Sequence, residues 1–125
     1  MKIEKFEDLI AWQKAKELTI KLYASCKNCK EYGLKDIVTK SGITMMNHIA
    51  EGFEKRINKE VKPSFLAAKW VSSQMRSMLY MLLEMWCITQ EEFKEFYDIS
   101  WHVTNTLLAF VKSIKAAEEK MQNKA

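Results

Sequence analysis

The sequence predicts an all-α protein: one domain, residues 1–125, folded as an antiparallel up-down four-helix bundle. Glycine and proline are scarce, at three and one of 125 residues, and so little turn material favours long helices and few loops. Hydrophobic residues make up 48% of the chain, which is ample for a core. They recur at helical spacing in four segments, about 7–29, 34–56, 60–87 and 90–117. Short connections make antiparallel neighbours the simplest arrangement of these helices.

Helix 1 is predicted over about 7–29 because its apolar residues follow the three- and four-residue spacing of one buried side. We call such a row of apolar residues a seam. The seam of helix 1 consists of Ala11, Ala15, Leu18, Leu22 and Cys29. The next residues, Glu31-Tyr32-Gly33, are typical of a turn, in which Gly33 can adopt a positive φ.

Helix 2 carries two adjacent seams. The first consists of Gly42, Met45, Ile49 and Gly52, and the second of Ile43, Met46, Ala50, Phe53 and Ile57. Two neighbouring seams make a wide apolar arc, which indicates a helix that is central in its own bundle or shared with another subunit. Four residues of this arc are therefore candidates for packing or oligomer contacts: Met45, Ile49, Gly52 and Phe53.

The glycine at the end of the first seam has two explanations, and the sequence leaves both open. Gly52 can allow the backbone of another helix to approach closely. Alternatively it lies near the C-terminal cap of helix 2, where a positive φ is needed. Either reading predicts that a side chain at this position would disturb the structure.

Helix 3 has the most regular seam of the chain. Its residues alternate in four- and three-residue steps: Val61, Phe65, Ala68, Ser72, Met75, Leu79, Leu82 and Trp86. This spacing predicts a long helix that packs at a shallow, coiled-coil-like angle, with Asn58 as its N-cap. Pro63 either lies in the first turn of this helix or bends it.

Helix 4 begins with a capping box, in which the side chains of Thr89 and Glu92 satisfy each other's backbone amides. The polar residues after Ala117 are expected to fray. The seam of helix 4 consists of Phe93, Tyr97, Thr104, Leu107, Val111 and Ile114.

No pattern in the sequence indicates a catalytic, cofactor or metal site. Cys26-Lys27-Asn28-Cys29 forms a CxxC motif, but a structural zinc ion needs four ligands and this motif supplies two. A thioredoxin-like redox role needs a βαβ context, which four helices do not provide. The sequence also lacks a nucleophile elbow, a glycine-rich phosphate loop and a paired-acid motif. We therefore expect no enzymatic activity, no metal and no cofactor.

The sequence favours a bacterial cytoplasmic protein that does not enter membranes. The first residues, MKIEKFEDLI, lack the apolar stretch of a secretory signal. No segment approaches the roughly 18 uninterrupted apolar residues of a membrane-spanning helix. The three cysteines are then expected to be free thiols that pack as small apolar side chains.

Positive charge is concentrated at the junction of helices 2 and 3. The formal net charge is +4, which divides into +2 over 1–53, +4 over 54–76 and −2 over 77–125. Three of the cations are spaced by seven residues, so they share one side of helix 3, and three more extend this row at its N-terminal end. We call these six residues the basic row: Lys55, Arg56, Lys59, Lys62, Lys69 and Arg76.

The basic row has two interpretations. A row of cations attracts a phosphate backbone, chiefly without sequence preference. Alternatively it is a solvated face that keeps the protein soluble. Trp70 lies next to the row, where its ring can stack on a base or pack against a neighbouring helix.

Several short stretches resemble one family, the four-helix-bundle proteins encoded in ribosomal RNA intervening sequences. The first stretch runs from Phe6 to Leu18 and follows the family pattern F-x-x-L-x-x-W-Q-K-A-x-x-L. Ile49–Phe53 matches the most characteristic stretch of the family, I-A-E-G-F, which is followed by basic residues there as here. Two departures stand out: Met46 replaces a helix 2 proline, and the helix 3 stretch S-E-L-E is Ser73-Gln74-Met75-Arg76.

The resemblance implies an up-down helical bundle that assembles as a homopentamer without catalytic activity. Binding to RNA or DNA is the usual proposal for these proteins. The related accessory proteins of diversity-generating retroelements imply a second role, in which a basic pentamer contacts a reverse transcriptase and nucleic acid. The protein is therefore expected to be either a nucleic-acid-binding oligomer or an accessory scaffold.

Overall fold

The computed structural model describes residues 3–58 and 61–123. These residues form four α-helices and no strand: α1 (Ile10–Ser25), α2 (Tyr32–Glu54), α3 (Val61–Glu84) and α4 (Gln90–Asn123). Two short 3₁₀ turns, Phe6–Asp8 and Lys55–Asn58, precede α1 and follow α2. The prediction of an all-α fold with four helices is confirmed.

Each helix packs against two others. α2 lies between α1 and α3, and α4 also contacts both α1 and α3. The four helices therefore enclose one core, to which each contributes fully buried side chains, including Leu18, Met45, Leu79 and Leu107. This arrangement is a four-helix bundle.

The predicted seams identify most of the core. All the seam residues predicted for helix 1 are buried, as are those of the first seam of helix 2. The second seam lies at the margin of the core, since Phe53 is buried but Ile43 is 48% exposed. In α3 the seam from Phe65 to Leu82 is buried throughout. Helical spacing is a good guide here because one side of each helix faces the core.

The capping box at the start of α4 forms as predicted. The amide of Thr89 donates to Glu92 Oε1 at 2.9 Å, and the amide of Glu92 donates to Thr89 Oγ1 at 3.1 Å. The two side chains thus satisfy amides that have no partner within the helix. α4 then continues to Asn123, so the expected fraying after Ala117 is not seen.

The connection between α1 and α2 differs from the prediction. α1 ends at Ser25, and Cys29 lies beyond it in a turn. The Cys29 amide closes this turn by donating a hydrogen bond to the Cys26 carbonyl at 3.0 Å. Cys29 forms a disulfide with Cys87 in the α3–α4 connection, 58 residues away. α2 already begins at Tyr32, so Gly33 is helical and has no positive φ. The expectation of three free thiols is wrong for Cys29 and Cys87, whereas Cys26 is free and buried.

The end of α3 also differs from the prediction, at Trp86. The Trp86 amide donates to the Leu83 carbonyl at 3.1 Å, and the Cys87 amide donates to the Leu82 carbonyl at 2.9 Å. These are the two hydrogen bonds of a Schellman motif, whose C′ residue has a positive φ. Trp86 holds that position with φ 62° and is 93% exposed. Its predicted place in the seam is wrong because the chain leaves the helix before this residue.

The structure decides between the two explanations of Gly52. Gly52 is buried inside α2 and has no positive φ, so it is not a capping glycine. A Cβ atom at this position would lie 2.5 Å from Phe65 Cδ1 and 3.1 Å from Ser64 Cβ. The glycine therefore allows close packing of α2 on α3 within one chain.

Pro63 is the third described residue of α3. This position is consistent with a proline in the first turn, where an amide has no partner within the helix. Lys59 and Glu60 lie outside the described residues. The predicted N-cap role of Asn58 concerns this junction and stays a prediction.

We expect Gly52→Ala to lower the free energy of unfolding by about 1–3 kcal/mol, because Phe65 must move to admit the new methyl group. The measurement is urea denaturation followed by circular dichroism. Gly33→Ala is the matched control, since nothing lies within 4 Å of its added Cβ. That helical control should be neutral or stabilising by up to about 1 kcal/mol. Equal effects of the two substitutions would contradict the close approach of α3 to Gly52.

Reduction of the Cys29–Cys87 disulfide is expected to lower the free energy of unfolding by about 4 kcal/mol, because it releases a long loop in the unfolded chain. Thermal unfolding with and without a phosphine reductant measures this effect. Cys87→Ser is the control, and its melting temperature should not respond to the reductant. A wild-type melting temperature that is equally insensitive would show that the bond contributes nothing.

Candidate nucleic-acid interface

The N-terminal part of the basic row has local partners. Lys55 Nζ forms an ion pair with Glu51 Oε1 at 2.6 Å, which lowers the pKa of Glu51 through hydrogen bonding. The Arg56 guanidinium donates to the Phe53 carbonyl at 2.8 Å and lies 3.8 Å from the centroid of the Phe53 ring. Both cations therefore lie at the C-terminal end of α2, where positive charge stabilises the helix.

Two members of the row cannot be placed in detail. Lys59 lies outside the described residues, and Lys62 belongs to the first turn of α3 but its side chain is not described. Lys69 is placed clearly: it is half-buried and has no hydrogen bond or ion pair to a described residue. It lines an apolar groove between α3 and α4 together with Phe65, Leu66, Leu107, Leu108 and Val111.

Arg76 does not extend the row at the surface. It is only 8% exposed, and its guanidinium points between α3 and α4. Nη1 donates to Ser72 Oγ at 3.1 Å and to Ser100 Oγ at 2.9 Å, and Nη2 donates to Ser73 Oγ at 2.9 Å. This placement does not suit contact with a phosphate backbone, and it separates Arg76 from the other predicted site residues.

The Arg76 guanidinium is solvated by neutral hydroxyl groups, which accept its hydrogen bonds. No described carboxylate pairs with it, and burial lowers the pKa of its guanidinium, a shift that the nearby Tyr97 partly opposes. The hydroxyls also bond one another, with Ser72 Oγ 2.8 Å from Ser100 Oγ and Thr104 Oγ1 donating to Ser72 Oγ at 3.1 Å. We call Arg76 and these hydroxyl residues (Ser72, Ser73, Ser100 and Thr104) the polar core cluster.

The Trp101 ring covers one side of the polar core cluster. The guanidinium carbon of Arg76 lies 3.9 Å from the centroid of the Trp101 ring, at cation–π distance. Sequence reasoning missed this cluster because its members come from two helices. The one available signal was the presence of Ser72 in the α3 seam and of Thr104 in the α4 seam.

The surface around Lys69 and Trp101 has an unusual charge pattern. α3 contains no acidic residue over 61–83, and α4 contains none over 99–117. Glu60 and Glu84 border the first segment, and Asp98 and Glu118 border the second. We call the described side chains of 61–83 and 99–117 that reach the surface the acid-free face, and its cations are Lys69, Lys112 and Lys115. Lys62 belongs to the first segment by sequence, and its side chain is not described.

The four residues predicted for packing or oligomer contacts lie inside the chain. Met45, Ile49 and Phe53 have no exposed surface, and Gly52 is buried against α3. These four residues therefore pack within the core of one chain, which is one of the two predicted alternatives. Contacts to a second subunit would have to use other residues, such as the exposed Ile37 and Ile43 of α2.

The described residues contain no group of three or more His, Cys, Asp or Glu side chains that could hold a metal ion. The CxxC motif is divided, because Cys29 is oxidised with Cys87 while the Cys26 thiol, whose pKa is raised by burial, stays free. Within the described part of the chain, no helix is long and apolar enough to cross a membrane. The expectation that the protein is not an enzyme stays a prediction.

The polar core cluster predicts strong coupling between Arg76 and Ser100. Ser100→Ala should cost about 1–3 kcal/mol of stability, because it removes an acceptor from a buried cation. In an Arg76→Met background the same change should cost at least about 0.5 kcal/mol less. Thr106→Ala is the control, since its hydroxyl bonds only the carbonyls of His102 and Val103. Additive effects of Ser100→Ala and Arg76→Met in denaturation would contradict the coupling.

Comparison with known families agrees with the resemblance seen in the sequence. A family model described as 23S rRNA-intervening sequence protein matches residues 7–109. The match begins beside the first family-like stretch and continues beyond the capping box into α4. No curated protein and no solved structure matched the chain significantly. Because the family model covers most of the chain, the chain belongs to the 23S rRNA-intervening sequence protein family.

Proposed function

We propose that the protein is a non-enzymatic, oligomeric nucleic-acid-binding protein, which contacts RNA or DNA through the α2–α3 junction and α3 without strong sequence preference. The acid-free face carries this proposal, because the two segments that form it, 61–83 and 99–117, contain four lysines and no acidic residue. Membership in the 23S rRNA-intervening sequence protein family is consistent with an RNA partner. The Arg76 side chain is left out of the proposed contacts because it is buried.

The remaining members of the basic row fit phosphate contacts to different degrees. Lys69 has no ion pair to a described residue, so a phosphate need not displace a partner. The Lys55–Glu51 pair is largely exposed, with about half of each side chain accessible. Such pairs contribute at most about 1 kcal/mol, so a phosphate can compete with Glu51 for Lys55. Arg56 and Lys59 complete the proposed contact surface at the end of α2.

We also propose that the four helices run antiparallel in sequence order and that the protein assembles as a homopentamer in the cytoplasm, where the Cys29–Cys87 bond would be an exception to the usual reduced state of cysteines. Exposed apolar side chains on α1 and α2, including Ile10, Ile20 and Ile37, support self-association. A ring would repeat the acid-free face on every subunit and strengthen binding by multivalency. Light scattering after size exclusion should give a mass near five times 14.7 kDa, and a monomer would contradict the assembly.

An accessory scaffold is the second candidate function. In that role the protein would contact a reverse transcriptase as well as nucleic acid. Trp86 favours a protein partner, because a 93% exposed indole held on a hydrogen-bonded turn is a typical anchor for an interface. A pull-down that recovers a reverse transcriptase, combined with no affinity for RNA or DNA at low salt, would favour this function over the first.

The test of the first function is the salt dependence of binding to fluorescein-labelled RNA, measured by fluorescence anisotropy. Wild-type affinity should fall steeply with salt, because each phosphate contact releases counterions. Lys62→Glu combined with Lys69→Glu should weaken binding strongly and reduce the slope of log K against log salt by about 1.4 for two contacts to a single strand. Circular dichroism should show that the bundle remains folded.

The matched control is Lys16→Glu combined with Lys40→Glu. It changes the net charge equally on exposed positions of α1 and α2, away from the acid-free face. This variant should keep most of the wild-type affinity and slope. Equal losses in both double variants would mean that net charge, and not this face, governs binding.

A further inference from the structure

Two tryptophan side chains lie on the acid-free face. Trp70 is 60% exposed and follows Lys69 directly in α3. Trp101 is 41% exposed and lies on the α4 side of the same face. Large aromatic rings are costly to leave in water. Trp101 lies against the Arg76 guanidinium, and no acidic residue lies within one helical turn of Trp70, so the two exposed indoles suggest a ligand that is both anionic and aromatic.

Trp101 is held in a fixed orientation by the polar core cluster. The Arg76 guanidinium covers one side of the indole at 3.9 Å, and the hydroxyls of Ser72, Ser73 and Ser100 hold that guanidinium. The accessible part of the ring is therefore its opposite side and its edges. A ring that is ordered before binding loses little conformational entropy when a ligand stacks on it.

The cations around these rings are placed for a strand that passes over both helices. Helical spacing puts Lys112 and Lys115 eleven and fourteen residues after Trp101, on the same side of α4. Lys69 lies in the groove between α3 and α4, and its ammonium group has no partner among the described residues. The lysines of α4 thus lie about three and four helical turns from Trp101 along the same side of the helix.

We propose that the acid-free face binds single-stranded nucleic acid, with bases stacked on Trp70 and Trp101 and phosphates held by Lys69 and the lysines of α4. This inference depends on the proposed nucleic-acid-binding function and specifies its substrate class. A base in a duplex is stacked on its neighbours and offers no free ring face, whereas an unpaired base can stack on an indole. Arg76 is a positioning residue in this scheme, because it acts on the ligand through Trp101.

A second copy of the chain is the competing occupant of this face. Pairing the face with itself would bring the cations of two subunits together without a carboxylate between them, which disfavours that contact. A negatively charged strand removes this repulsion and uses the exposed rings. The charge pattern therefore favours nucleic acid over pairing of this face with itself, and the mass of the Trp70→Leu variant tests a contact with a different face of a neighbouring subunit.

The experiment compares a short labelled single strand with the same strand annealed to its complement, at one salt concentration. RNA and DNA versions in separate arms show whether the sugar matters. Anisotropy measures affinity, and quenching of tryptophan fluorescence reports stacking. Wild-type protein should bind the single strand more tightly than the duplex. Tryptophan fluorescence should be quenched by the single strand and not by the duplex.

Trp70→Leu is the main variant, because Trp70 is largely exposed and its loss should not unfold the bundle. It should weaken single-strand binding by about 5- to 150-fold, as expected for one lost stacking contact, and leave the salt slope unchanged. Trp70→Phe should recover part of the affinity. Trp86→Leu is the control, since Trp86 is exposed but lies outside the acid-free face, and it should bind as wild type.

The possible failures are distinguishable. Equal binding of duplex and single strand, with no effect of Trp70→Leu, would overturn the stacking inference while charge reversal at Lys62 and Lys69 could still support the proposed function. If no variant loses binding, or if the wild-type protein does not bind at all, both the stacking inference and the proposed function are overturned. A lower mass of Trp70→Leu in light scattering would instead assign the face to a subunit interface and overturn the inference.

Discussion

The buried charge of Arg76 is the constraint on which the α3–α4 half of the bundle depends. No carboxylate among the described residues neutralises it, so α3 and α4 supply hydroxyls where a seam would otherwise carry apolar side chains. Breaking a satisfied buried polar network is costly, whereas an apolar replacement of the whole network can be neutral. The network therefore fixes how α3 and α4 face each other more than it adds to stability. It also holds Trp101 against the guanidinium and so places an indole at the surface.

The other half of the bundle depends on steric fit. Gly52 brings α2 so close to α3 that the space for a Cβ atom is already filled by Phe65. This contact fixes the position of α3 against α2 near Ser64 and Phe65, and with it the part of the acid-free face that carries Lys69. The Cys29–Cys87 bond links the α1–α2 connection to the α3–α4 connection. Steric packing thus holds α2 against α3, the disulfide joins the α1–α2 and α3–α4 connections, and the buried charge of Arg76 holds α3 against α4.

The sequence predicted the features that depend on local spacing. The four helices, the α3 seam between Phe65 and Leu82 and the capping box at Thr89 follow from periodicity and from hydrogen bonding within a few residues. Features that depend on distant partners were missed. The seven-residue spacing of Lys69 and Arg76 suggested a common surface, but the hydroxyls that draw Arg76 inward belong partly to α4. Cys29 fitted the seam of helix 1 because its partner, Cys87, is invisible to any local pattern. Trp86 matched the α3 seam because apolar spacing alone does not show where a helix ends. No glycine marks the end of α3 in the sequence.

Nucleic acid is expected to bind the acid-free face of α3 and α4 together with the cations of the α2–α3 junction. The most direct measurement is a titration of isotope-labelled wild-type protein with a short single-stranded RNA, followed by the four tryptophan indole N–H signals in two-dimensional NMR. The account predicts that the signals of Trp70 and Trp101 shift with RNA, while those of Trp12 and Trp86 stay in place. Shifts confined to Trp12 or Trp86, or no shift at saturating RNA, would contradict it.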